Sequence, residues 1–159
     1  MAQSVWLDER QARLWKAYRE LQQELYGALH QELLHDSGLS GTEYALLVPL
    51  SGTPDGVLRA RELGSELGWD RSRLSHQVRR MEKRGLVVRE ECSEDGRGSM
   101  VRLTDAGRAA IEGAAPEHAA AVRRYFFDPL SKEEVETLAA VFDRLLDNLA
   151  QAKARSRHG

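Results

Sequence analysis

Cysteine, proline and aromatic side chains are scarce in this chain: one Cys, four Pro and ten Phe, Trp and Tyr among 159 residues. A lone Cys92 cannot close an internal disulfide, and it supplies neither a C-x-x-C redox pair nor a cysteine-based zinc site. Long apolar runs are missing too. The longest, residues 44–50, is broken by Pro49 and is far too short to cross a bilayer, and the opening residues carry Asp8, Glu9 and Arg10 where an export signal needs apolar side chains. The expectation is a cytoplasmic chain with no membrane partner. No phosphate-binding glycine loop, nucleophile elbow or His-Glu zinc helix is present, so neither an enzyme nor a cofactor or metal protein is expected. Positive charge is not in excess: 23 Lys and Arg face 25 Asp and Glu, a net charge of -2. At first sight that balance argues against nucleic acid.

What is present is leucine, alanine and charge. With 42% hydrophobic, 30% charged and only 6% aromatic residues, the composition predicts one mainly α-helical domain of ordinary size. Between residues 6 and 36, Leu14, Tyr18, Leu21, Leu25, Leu29 and Leu33 recur at steps of three and four, the signature of a long amphipathic helix. Asp36, Ser37 and Gly38 break it. Leu39-Ser40-Gly41-Thr42-Glu43-Tyr44 then reads as a capping box and staple opening a second helix, which ends in the turn-rich residues 51–56. A short helix over residues 60–67 stops at Gly68, and Asp70 caps another that runs to Arg84 before Gly85. Two short helices so closely joined predict a helix-turn-helix.

Residues 86–92 and 100–103 read as two short strands around a glycine-containing tip, a β-hairpin wing directly behind the helix-turn-helix. Thr104 caps an Ala-rich helix expected to be interrupted or kinked at Pro116. Leu130-Ser131-Lys132-Glu133-Glu134-Val135 forms another capping box, opening a final helix with Leu138, Val141, Phe142, Leu145 and Leu149 on one face.

In the helix that Asp70 caps, Leu74, Val78 and Met81 fall at core spacing. That turns Arg71, Ser72, Arg73, Ser75, His76, Arg79 and Arg80 outward, a face of four arginines and three hydrogen-bonding residues with no carboxylate beyond the cap. A solvated helix surface would usually mix Glu with Lys at spacings of four. The charge also divides unevenly: residues 59–89 hold nine Arg and Lys against four Asp and Glu, a local +5, and the remainder is 14 against 21, or -7. The overall acidity conceals a basic block. One helix fits a B-DNA major groove, where arginine forks read guanine edges and Ser or His reaches other edges or phosphates. At the wing tip Arg97, between two glycines and beside Asp95, suits an adjacent minor groove. A protein-docking or architectural winged helix without sequence preference is the alternative.

These residues resemble the MarR family of bacterial transcription regulators. The resemblance is carried by Leu39-Ser40 and Leu47, Glu62-Leu63, Ser72 through Gly85-Leu86-Val87, Asp95-Gly96-Arg97-Gly98, Leu103-Thr104-Asp105-Ala106-Gly107 and Leu130-Ser131-Lys132-Glu133-Glu134. It implies a winged helix-turn-helix unit over residues 39–103 and dimerisation helices over residues 6–36 and 104–152. It further implies a homodimer on double-stranded DNA, each subunit placing one recognition helix in a major groove and one wing in a minor groove. Arg71, Ser72, Arg73, Ser75, His76 and Arg79 would face the major groove and Arg97 the minor. The resemblance also implies a crevice for small ligands, often aromatic or phenolic acids, on helices that carry Trp15, Tyr18, His30 and Tyr44. A reactive cysteine in the first helix, kept by oxidant-sensing members, is missing here. His118 has no partner one turn away, so the histidines do not point to a metal site.

Overall fold

The computed structural model describes residues 6–91 and 98–157. In chain order the elements are α1 (Glu9–Ser37), α2 (Gly41–Ser51), β1 (Val57–Arg59), α3 (Ala60–Leu67), α4 (Arg71–Lys83), β2 (Val87–Glu91), β3 (Ser99–Leu103), α5 (Asp105–Val122), a π-helical turn (Arg123–Phe127) and α6 (Lys132–Ser156). Two compact units divide between Ala121 and Val122.

Local chemistry explains most boundaries. Asp8, Ser40 and Ser131 each accept from the backbone N–H three residues on, while the Gln or Glu at that position returns the bond. Each reciprocal pair satisfies two of the donors that a helix start leaves orphaned. Gly38 and Gly68 end α1 and α3 in the left-handed conformation, with φ of 72° and 66°, which costs glycine little and other residues more.

The core of the first unit is aliphatic. Leu39, Leu46, Leu47, Leu50, Leu63, Val78, Met81, Val87 and Val101 are fully buried and bring α2, α3, α4 and the sheet onto one cluster. Truncating any of these leucines to Ala should cost about 2–5 kcal/mol through lost burial and the cavity left behind. The sheet runs β1-β3-β2, antiparallel throughout, with Leu58 opposite Val101 and Arg89 opposite Val101 on its other side. A winged helix-turn-helix is therefore present as expected, with one strand more than the hairpin. The added β1 is held by β3 and by the turn before it, where Gly56, buried at φ 69°, accepts from the Leu103 N–H at 2.8 Å.

Helix α5 is not interrupted at Pro116. It runs on to Val122, so the proline withholds one backbone hydrogen bond but does not end the helix. Termination comes later, in the π-helical turn, where the Asp128 N–H donates to the Arg123 carbonyl at 2.8 Å.

Burial along α1 is uneven. Leu29 and Leu33 are buried, whereas Leu14, Trp15, Tyr18 and Leu21 on the earlier turns are exposed. In the second unit no residue of α6 is buried, and Phe142, Leu145, Leu146 and Leu149 are exposed. Both long helices thus carry apolar side chains that their own unit does not cover.

Candidate nucleic-acid interface

Helix α4 is set in place at its start and along one face. Asp70 accepts from the Arg73 N–H at 2.7 Å, capping the helix. The Trp69 N–H donates back to Gly64 at 2.9 Å, tightening the turn from α3. A Cβ at Gly64 would press tightly on the Trp69 carbonyl and on the Leu74 side chain, so a larger residue there would make the turn between the two helices give by a few tenths of an ångström. Leu74, Val78 and Met81 point into the core, and Gln77 is buried beside them at 8% exposure.

Arg71, Ser72, Arg73, His76, Arg79 and Arg80 are exposed on the opposite side, and Ser75 is half-buried at its edge. The guanidinium groups of Arg71, Arg79 and Arg80 make no hydrogen bond or ion pair among the described residues, where ion pairs such as Arg84–Glu43, Arg102–Glu90 and Arg108–Glu112 are formed elsewhere. Arg73 behaves differently. Its guanidinium carbon lies over the Trp69 ring, 4.5 Å from the ring centre, a cation–π contact that favours keeping the group beside this face.

Sequence reasoning overlooked Arg89 as part of this surface. Its Nη2 donates to Ser75 Oγ at 3.2 Å, and its backbone N–H donates to Glu82 Oε1 at 2.7 Å. These bonds stitch β2 to the recognition helix and add a fifth arginine next to the face. Alternation along β2 sets Arg89 on the same face as the buried Val87, but nothing in the sequence sets it beside Ser75. The wing-tip residues Asp95 and Arg97, with Cys92, lie outside the described residues. The wing's base is described: β2 and β3 pair from Val87–Leu103 to Glu91–Ser99, and Arg102 Nε donates to Glu90 at 2.7 Å across them. That bond holds the Glu90 carboxyl below its ordinary pKa, although both side chains are exposed and water screens the pair.

The four candidate ligand residues fall into two groups. Trp15 and Tyr18 stack on each other with ring centroids 5.5 Å apart, on the exposed part of α1. Fifteen residues along the same helix, about 22 Å at 1.5 Å per residue, the His30 imidazole lies over Gly41, where any Cβ would collide with it. Tyr44 stacks on His118 with centroids 4.4 Å apart. Burial, and then the nearby His30, lower the His118 pKa below its ordinary value, and burial raises that of Tyr44. The His118 Nδ1 is buried without a hydrogen-bond partner. A narrow crevice opens between the last turns of α1 and α5, lined by Leu29, Leu33, Ala114 and His118, with Glu32 and Glu117 at its sides. Among the described residues no three His, Cys, Asp or Glu side chains group to hold a metal.

A basic recognition helix beside a three-stranded wing is the architecture that known proteins share with this chain. The model of the MarR family matches residues 37–98, the span from the end of α1 to the wing. The MarR family transcriptional regulator Sco3205 of Streptomyces coelicolor, solved in complex with DNA, is 38% identical, with a TM-score of 0.86 over 91% of this chain and 94% of that one. AbsC, a MarR family transcriptional regulator from the same organism, is 33% identical, also with a TM-score of 0.86, over 93% of this chain and 99% of that one. The HTH-type transcriptional regulator MhqR of Bacillus subtilis is 26% identical over 138 residues, which is 87% of this chain and 90% of the relative. Fold, helix-turn-helix, wing and similarity along nearly the whole chain agree: the protein belongs to the MarR family of winged helix-turn-helix transcription regulators.

Proposed function

We propose that this protein acts as a homodimer that binds a pseudo-palindromic operator through α4 and the wing and represses transcription, with a small aromatic or phenolic ligand tuning its hold on DNA. The observation that carries the reading is the outer face of α4, where Arg71, Arg79 and Arg80 take no carboxylate partner among the described residues and Arg73 lies over the Trp69 ring. Unneutralised guanidinium groups on a groove-sized helix suit phosphates and guanine edges. The DNA complex of Sco3205 supports the same partner.

The exposed apolar residues of α1 and of α6 support the homodimer, since a symmetric pair would cover them. Two-fold symmetry then requires half-sites centred about 10 base pairs, one helical turn, apart. Repression follows from such an arrangement because a pair of winged units occludes the duplex it covers. A ligand would act by favouring dimers whose recognition helices do, or do not, match that spacing.

The reading is tested by titrating the protein's own upstream DNA against random duplex over a range of salt. Specific binding with a steep negative slope of log affinity on log salt is expected, and Arg73→Ala should reduce the preference by about 1–3 kcal/mol. Equal affinity for both duplexes would instead make it an architectural or protein-docking winged helix.

A further inference from the structure

The recognition helix is anchored at its C-terminal end by a contact to α2. Arg84, the C-cap of α4, donates through Nη1 to both oxygens of Glu43 on α2, and its Nη2 reaches the Gly38 carbonyl at 3.4 Å. Glu43 is buried at 7% exposure. The same carboxylate accepts from the Ser40 N–H at 3.0 Å, and Ser40 Oγ accepts in return from the Glu43 N–H at 3.1 Å. One residue earlier, the Leu39 N–H donates to Ser37 Oγ, which itself donates to the Leu33 carbonyl on the last turns of α1. Hydrogen bonds on either side of the Leu39–Ser40 peptide therefore tie α1, the corner before α2 and the end of the recognition helix together.

A buried carboxylate leaves water at a cost that a guanidinium donating to both its oxygens can offset, and with Nη2 turned to the Gly38 carbonyl the contact is directional. The thirteen residues of α4 span about 20 Å, so a tilt of about 5° at the Arg84 end moves the groove-facing end by about 2 Å. That is enough to misplace base contacts that must be held within about half an ångström. We propose that Arg84 is a positioning residue: paired with Glu43, it fixes the angle of the recognition helix against the α1–α2 corner, and so governs operator affinity without touching DNA. The proposal rests on the DNA-binding reading above.

The opposite role, a phosphate contact made by Arg84 itself, predicts effects of the other sign. Glu43→Gln keeps a side chain that can cap Ser40 but removes the charge that holds Arg84. Under the positioning role operator affinity should fall about ten-fold with the salt slope unchanged. Were Arg84 a phosphate ligand, the same change would release it, and affinity should rise. Arg84→Met should weaken operator binding to a similar extent, also with the wild-type slope, and Arg84→Lys should restore only part of the loss, because one ammonium does not reproduce the planar pair of donors that Nη1 and Nη2 set on Glu43 and the Gly38 carbonyl. The double variant should lose no more than the weaker of the two single variants, since both break one coupling.

The experiment is a salt series of operator and random-duplex binding on wild type and these variants, with melting curves as the fold check. If Arg84→Met does not fold, Glu43→Gln decides alone. Unchanged or tighter operator binding by Glu43→Gln, or a slope reduced by about one phosphate contact in Arg84→Met, overturns the proposal. No operator preference in wild type overturns the DNA reading and this inference with it; a wild type that discriminates isolates the failure to Arg84.

Discussion

Two glycines of α5 show how one residue type can take opposite substitutions. Gly107 is buried where a Cβ would collide with the Leu86 carbonyl and crowd the Leu103 side chain, whereas Gly113 has nothing within 4 Å of the same position. Gly107→Ala should therefore destabilise by about 1–3 kcal/mol despite alanine's better helix propensity, and Gly113→Ala should stabilise by about 0.5–1 kcal/mol; chemical denaturation of the two variants measures both. His118 sets a pH dependence. Its folded pKa lies below the ordinary histidine value because burial and His30 disfavour the charged form. As pH falls through about 6.5, the unfolded chain takes up the proton first and stability drops. The melting temperature should fall between pH 7.5 and 5.5, and His118→Phe, which keeps a ring against Tyr44, should flatten that decline. Residue roles were legible where a local rule applies. The outward arginines and inward Leu74, Val78 and Met81 follow from helical spacing alone. Glu43 was read only as a cap, because its second partner lies 41 residues away, and the burial of Gln77 breaks the polar-outward pattern that spacing assumes.

Elements were legible in proportion to their own punctuation. The starts of α2, α4 and α6 agree with the expected caps at Ser40, Asp70 and Ser131, since each cap is a bond between neighbours in sequence. Strand β1 was not foreseen: three residues give no periodicity, and their pairing with β3 is set by tertiary contact. After α5, Asp128-Pro129 marks where the helical run stops, but nothing in the sequence marks Arg123–Phe127 as a π-helical turn. The cap of the recognition helix makes a prediction with two signs. Asp70→Ala removes the bond to the Arg73 N–H, costing about 1 kcal/mol of stability. It also removes the carboxylate nearest the arginine face, so affinity for random duplex at low salt should rise. Melting and binding measured on the same variant should move in opposite directions.

For the molecule as a whole, a net charge of -2 resolves into +5 over residues 59–89 and -7 elsewhere. Affinity should then depend on docking two basic faces at the correct spacing, because the rest of the chain repels phosphate. Pairing is testable through the exposed stripe of α1. Leu21 is 54% exposed, and Leu21→Glu should leave circular dichroism unchanged while shifting sedimentation to the monomer and reducing operator affinity more than ten-fold. Long amphipathic helices at both ends were readable from sequence; which of their turns stay uncovered was not, because burial depends on what the fold sets against them. One hydroxyl ties the wing's base together. Thr104 Oγ1 donates to the Gly85 carbonyl and accepts from the Gly107 N–H, while the Thr104 N–H reaches Leu86 and the Leu103 N–H reaches Gly56. Three chain segments, at Gly56, at Gly85 and Leu86, and from Leu103 to Gly107, meet there through one hydroxyl and backbone groups, which resists local fraying of the wing's base. Its root opens only when the first unit unfolds, and the amide protons of Leu103, Thr104 and Gly107 should exchange with solvent on the timescale of global opening.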